Sequence, residues 1–391
     1  MKIMTAMYTL RRGGAYDRFE LMLEAFLEKG HDVHCLSLTP IHMGRSFFYN
    51  HLVQTLTKRP QGPIAKLWVI LFFPGYSFFW GWREKVDLFV AFGSIYAMIF
   101  TLPKLVMRKP MVTFIRGDLT FGFKTQGLLS PFLWLSKRIE YLGLRFSDRI
   151  LTVNKTMEEK IVEMMRGKKK IDVQTLFNNI PTIQKPLAEG ICRLKPSYGI
   201  PREGKVLITA GILNRGKNVE MLIRSLSHIG IKDLFLLVAG EGFTEMDVRY
   251  RDSLKELARR VGLDRRVIFT GWLEKNELWS LFFAADLFIL PSLREGMPNV
   301  LLEALGCNLP CMGSDIPGTT EILKYNELLF DPLNDKALIE KIRLFFFDSP
   351  FFEKVKKLCQ ERKHTFIFDW KEEVFQMITA GLKIRCLTSF Q

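Results

Sequence analysis

Four stretches of the second half, "VLITAG" (206–211), "LFLLVAG" (234–240), "RVIFTG" (266–271) and "DLFILPS" (286–292), are nearly unbroken apolar runs. A strand with one wet face alternates apolar and polar residues. A continuous run needs cover on both faces, as a parallel strand between helical layers has. Segments with apolar residues at helical spacing separate the runs, at 217–229, 245–262, 275–285 and 298–307. Such alternation predicts a doubly wound parallel sheet, with ligands beyond the carboxyl ends of its strands.

The first half opens in the same way. "KIMTAMYTL" (2–10) reads as a buried strand ending at Gly13-Gly14, 17–30 as a helix closed by Gly30, and 31–38 as the next strand. Further strands are expected at 86–93, 110–118 and 149–154, with an aromatic helix over 130–148. "KPLAEGICRLKPSYGIPREGK" (185–205), with three Pro and three Gly and no sustained periodicity, is the expected linker. At 391 residues the chain is too long for one core. The expected architecture is α/β: two Rossmann-like domains in series, 1–185 and 186–365, with a cleft between them.

The formal net charge of +15 is unevenly placed. Residues 1–185 carry 27 Lys and Arg against 14 Asp and Glu, net +13; residues 186–391 carry 29 against 27, net +2. The basic half suits an anionic partner such as a membrane surface, a lipid phosphate or nucleic acid, or is a well-solvated face. Six scattered cysteines form no CxxC pair, which fits a reducing compartment and argues against a structural metal. The amino terminus lacks the pattern of a signal peptide. The uncharged stretch "LWVILFFPGYSFFWGW" (67–82) is shorter than the roughly 20 residues of a spanning helix. It reads as a buried helix, an interfacial patch or a re-entrant segment.

Each apolar run of the second half ends in polar or glycine-rich residues. After the first come Gly211, Arg215 and Lys217; after the second, Glu241 and Gly242; after the third, Trp272; after the fourth, "LREGMPN" (293–299). Pro298 suits the first position of a helix, and the amides around Asn299 and Val300 then favour an anion such as a diphosphate. Glu295 precedes that helix and Glu303 lies inside it, eight positions on. Carboxylates accept from paired hydroxyls. Hydroxyls on either side of a diphosphate describe a nucleotide sugar. Singly, each feature is more often a turn, a packing residue or a dipole-complementing glutamate; their succession at strand ends carries the reading.

Four elements, "GILNRGKN" (211–218), "VAGEG" (238–242), "FTGW" (269–272) and "EGMPNVLLEALGCNLPCMGSDIPGTTEI" (295–322), stand in the order found in the family-4 retaining glycosyltransferases of the GT-B fold, the glycosyl transferases group 1, which the second half resembles. The first half resembles them more weakly, through Gly13-Gly14, "FSDRILTVNKTMEEKI" (146–161) and "LFNNIP" (176–181). The resemblance implies that Glu295 contacts the donor sugar, Glu303 holds the ribose, and Lys217 stabilises the departing diphosphate. It implies that Gly14, beside Gly13, offers a backbone contact to the diphosphate. Gly296, Met297, Pro298, Asn299 and Val300 would form the anion-binding turn, with Gly211 and Gly242 at neighbouring strand tips.

Two positions depart from the pattern. Ile212 stands where an arginine is usual, with Arg215 as the candidate substitute. Arg116 stands where a histidine is usual; it stays charged at neutral pH and suits a phosphate or an anionic acceptor, with Asp118 two residues on. No Asp-x-Asp stands at a strand end, so no metal and no cofactor beyond the nucleotide sugar is expected. Residues 366–391 are expected to form a helical segment packing back on the first domain.

The expected function is hexosyl transfer to a lipid-linked or cell-envelope glycan acceptor, with retention as the resemblance implies. A hydrolase or phosphorylase on the same fold and a non-catalytic nucleotide-sugar or polyanion binding module are the alternatives. Residues 67–82 with Arg11, Arg12, Arg108 and Lys109 suggest a peripheral enzyme on the inner face of the cytoplasmic membrane, with no nucleic acid partner.

Overall fold

The computed structural model describes residues 1–8, 13–54, 63–117, 138, 140–166 and 171–381. Arg11, Arg12, Asp118 and residues 130–137 and 139 of the expected helix 130–148 lie outside the described residues. The chain divides into two units, residues 1–177 with 369–391, and residues 178–368.

The first unit holds a parallel sheet built from β1 (Lys2–Ala6), β2 (Asp32–Ser37), β3 (Phe48–Leu52), β4 (Leu88–Phe92), β5 (Met111–Ile115), β6 (Arg149–Thr152) and β7 (Asp172–Thr175), in the order 3-2-1-4-5-6-7. The central strands β4 and β5 are buried along their whole length. Edge strands β3 and β7 are half-buried, which is why no apolar run announced them. Chain direction across the sheet reverses between β1 and β4. A glycine at positive φ follows each of these strands, Gly13 (124°) before helix α1 (Gly14–Leu27) and Gly93 (130°) before helix α3 (Ser94–Met107). Helix α2 (Pro63–Arg83) carries the expected apolar stretch 67–82 and continues through Pro74.

Helix Trp370–Thr379 belongs to this unit. It is seated on α1 by Lys371 against Glu28 (2.7 Å), Lys29 against Glu372 (2.8 Å), the rings of Phe26 and Phe375 (5.2 Å) and the Arg18 guanidinium over Trp370 (5.2 Å).

The second unit holds β8 (Lys205–Ala210), β9 (Leu234–Ala239), β10 (Val267–Gly271), β11 (Leu287–Leu290), β12 (Cys311–Ser314) and β13 (Leu329–Phe330), parallel and ordered 10-9-8-11-12-13. Its reversal falls between β8 and β11. The expected linker is not structureless, for Ala188–Ser197 is a helix packed on helix Lys275–Ala284. Gly190 and Pro196 fall near its two ends, where helix breakers cost least, so composition misled.

Candidate active site

The reversal between β8 and β11 opens a crevice at their carboxyl ends, the usual ligand position in such sheets. Two braces join the loops that leave these strands. The Leu293 amide donates to the Gly216 carbonyl at 2.8 Å. Buried Asn218, left-handed at φ 50°, donates through Nδ2 to the carbonyls of Pro291 (3.2 Å) and Pro332 (2.9 Å). Lys217 and Glu295, 78 residues apart, are thereby brought together, with Nζ 2.6 Å from Oε1. The Ser292 hydroxyl donates to the same oxygen at 2.7 Å. Side-chain exposure is 20% for Lys217 and 13% for Glu295, so the pair is partly desolvated. Gly211, at φ 143°, lies beneath the lysine. A Cβ there would sit 3.2 Å from Lys217 Cε and 3.4 Å from Nζ.

The expected anion turn differs in one detail. Pro298, with ψ 110°, is the cap rather than the first helical residue, and the helix runs Asn299–Gly306. The Pro298 carbonyl accepts from Leu301 at 3.2 Å, so the chain turns helical one residue later than expected. The amides of Asn299 and Val300 are in the first turn, where no intrahelical acceptor exists. The Met297 side chain points inward and is buried. Asn178 holds this turn: its Nδ2 donates to Met297 O (3.1 Å) and Asn299 Oδ1 (2.7 Å), and its amide meets Met297 Sδ (3.0 Å). Gly296 is packed against Gly318. Glu303, the fifth helical residue, is buried and accepts from Trp279 Nε1 at 3.3 Å.

Other strand-tip residues make contacts of their own. Glu241 pairs with Arg251 at 2.5 Å and accepts from the Gly242 amide at 3.0 Å. Phe243 and Trp272 meet with ring centroids 5.2 Å apart. Arg215 lines a groove of about 220 Å³ with Glu220, Tyr250 and Arg260. In the first unit, Gly13 and Gly14 open α1. Arg116 follows β5 and lies over the Phe92 ring at 5.6 Å. Burial, then repulsion from Arg18, lowers its guanidinium to about 9 against the pull of Asp17, so it remains charged at neutral pH. Among the described residues no group of three or more His, Cys, Asp or Glu is placed to hold a metal.

Residues that sequence reasoning gave no role are the braces: Asn178, Asn218, Ser292 and Trp279. Asn178 lies within "LFNNIP" and Ser292 within the loop before Glu295, but only the fold shows what they touch.

The chain is similar to known proteins. Residues 192–364 match the family Glycosyl transferases group 1. An uncharacterized glycosyltransferase of Methanocaldococcus jannaschii is 27% identical over 48% of this chain and 47% of its own. The serotype-specific mannosyltransferase WbdA of Escherichia coli is 24% identical over 57% of this chain and 27% of its own. The chain thus spans less than half the length of these curated relatives. HepE of Anabaena, solved with UDP and glucose, superposes with a TM-score of 0.78 at 16% identity, covering 97% of this chain and all of that one (100%). The fold is GT-B, with two Rossmann-like domains.

Proposed function

We propose that the protein is a retaining glycosyltransferase that moves a hexose from a nucleoside diphosphate sugar to a lipid-linked or cell-envelope glycan. The observation that carries this reading is the Lys217–Glu295 pair, at 2.6 Å, beside the first turn of helix Asn299–Gly306. An ammonium has three donors. One serves Glu295, leaving two for a diphosphate that also meets the amides of Asn299 and Val300. Glu295 Oε2 then accepts from a sugar hydroxyl, and Glu303 takes the ribose. HepE, a neighbour in fold, was solved with UDP and glucose, which supports a donor of this kind.

In the step we favour, the acceptor oxygen forms its bond to the anomeric carbon on the face from which the diphosphate leaves. The bond from that carbon to the phosphate oxygen breaks, and the acceptor proton passes to the leaving diphosphate. Lys217 and the helix amides stabilise the charge that develops there. No metal or cofactor is required. The donor is taken by the second unit, and the acceptor by the basic first unit, which rests on the anionic inner face of the cytoplasmic membrane.

A screen of nucleotide sugars by thermal shift, followed by mass spectrometry and NMR of the product, tests this. A glycosylated acceptor with the donor's anomeric configuration is expected. Release of free sugar alone, or an inverted product, contradicts it.

A further inference from the structure

Helix α2 is apolar on two opposite faces. Val69, Phe73, Ser77 and Gly81, spaced four apart, are buried on its inner side. Leu71, Phe72, Phe78, Phe79 and Trp82 form an outer stripe at helical spacing, with Leu71 61% and Trp82 70% exposed. The neighbouring α3, packed on α2, extends the stripe with exposed Leu102, Leu105 and Val106. A helix apolar all round is ordinarily buried or in lipid. Here the second face is open, and among the described residues no helix is long and apolar enough to cross a membrane.

The rim supplies the charge. Both helices return from carboxyl ends of parallel strands, so their C-termini share one end of the sheet. At that end stand Arg83, Lys85, Arg108 and Lys109, against Glu84 and Asp87. Glu84 pairs with Arg83 at 3.7 Å and Asp87 with Lys109 at 3.4 Å, so the rim is net positive. Exposed Phe, Trp and Leu edged by cations match the acyl-headgroup boundary of an anionic bilayer.

We infer that the outer face of α2 and α3 inserts into the interfacial layer of an anionic membrane. This deepens the proposed function, on which it rests: the charged half is attracted to the membrane, and this aromatic face is the part that enters it.

Flotation of the full-length protein with phosphatidylcholine vesicles, with and without phosphatidylglycerol, tests the surface. The protein should float with the anionic vesicles and be only partly released by salt. Phe79→Asp/Trp82→Asp should lower partitioning about tenfold or more, with thermal unfolding and donor turnover unchanged. Leu105→Glu/Val106→Glu, on the other helix, should do the same and covers a folding failure of the first pair. Wild type that ignores anionic vesicles, or variants that float as wild type does, overturn the inference. So does a wild-type dimer by light scattering that these variants split without any flotation. The assay contains no acceptor. A water-soluble acceptor found for a protein that floats would contradict the acceptor reading and leave this surface standing.

Discussion

Replacing Lys217 by methionine keeps the length of the side chain and removes its charge. The structure sets the expected size of the effect. Lys217 Nζ gives Glu295 Oε1 a charged hydrogen bond of 2.6 Å, in a site where both side chains are mostly covered. The same ammonium is assigned to the departing diphosphate. A hydrogen bond to a charged group is worth about 1.5–3 kcal/mol, so turnover should fall roughly 10- to 150-fold. Stability should fall less. The pair lies between the exposed and buried extremes, and about 1–2 kcal/mol is expected, or about 2–8 °C in melting temperature for a unit of this size. The double variant Lys217→Met/Glu295→Gln leaves no carboxylate without its cation. It should regain part of that stability and none of the turnover. The assays are initial rates at saturating donor and urea unfolding of wild type and both variants. Turnover within twofold of wild type in Lys217→Met would refute the placement of the lysine on the leaving group.

Two further outcomes follow from the geometry. Gly211→Ala should be strained by about 1–3 kcal/mol at φ 143° and should displace the Lys217 side chain, whose Cε would lie 3.2 Å from the new methyl. Its turnover should drop in the wild-type background and change little in Lys217→Met, which a kinetic comparison of the four proteins checks. The second concerns His51, which meets His34 at 3.0 Å and stacks on Trp80 of α2 at 4.0 Å. Burial, then His34 and Arg83, pull its pKa down to about 4, with Glu84 opposing. The unfolded chain therefore binds a proton near pH 6.5 that the folded chain refuses until about 4, and stability should fall as pH drops through that window. For a half-buried ring the loss is on the order of 1 kcal/mol after solvent screening. Urea unfolding at neutral and acid pH should show it, and His51→Phe should flatten the dependence.

The central strands were legible because burial on both faces writes itself as continuous apolar sequence, as in β4, β8 and β11. Edge strands β3 and β7 were not, because Phe48–Leu52 and Asp172–Thr175 are only half covered and carry mixed residues. Short β12 and β13 gave too few residues for any period. In the site, Glu295, Glu303 and Lys217 stood out by type and spacing at strand ends. Arg215 also stood out, and it lines a groove with Arg260. The braces stayed hidden. Asn178 acts on Asn299 across 121 residues, and Asn218 on Pro332 across 114, and a separation of that length leaves no local pattern. The stretch 67–82 allowed both a core and a surface reading because α2 has one face of each kind.

In the proposed function the second unit grips a nucleoside diphosphate sugar with Lys217, helix amides and two carboxylates. Calorimetric titration of a panel of nucleotide sugars into wild type and Glu303→Ala, both in EDTA, tests it most directly. At least one donor should bind wild type without metal, and Glu303→Ala should weaken that donor about 10- to 150-fold, the cost of one charged hydrogen bond. Binding that needs added Mn²⁺ or Mg²⁺, or a Glu303→Ala affinity equal to wild type, would contradict it.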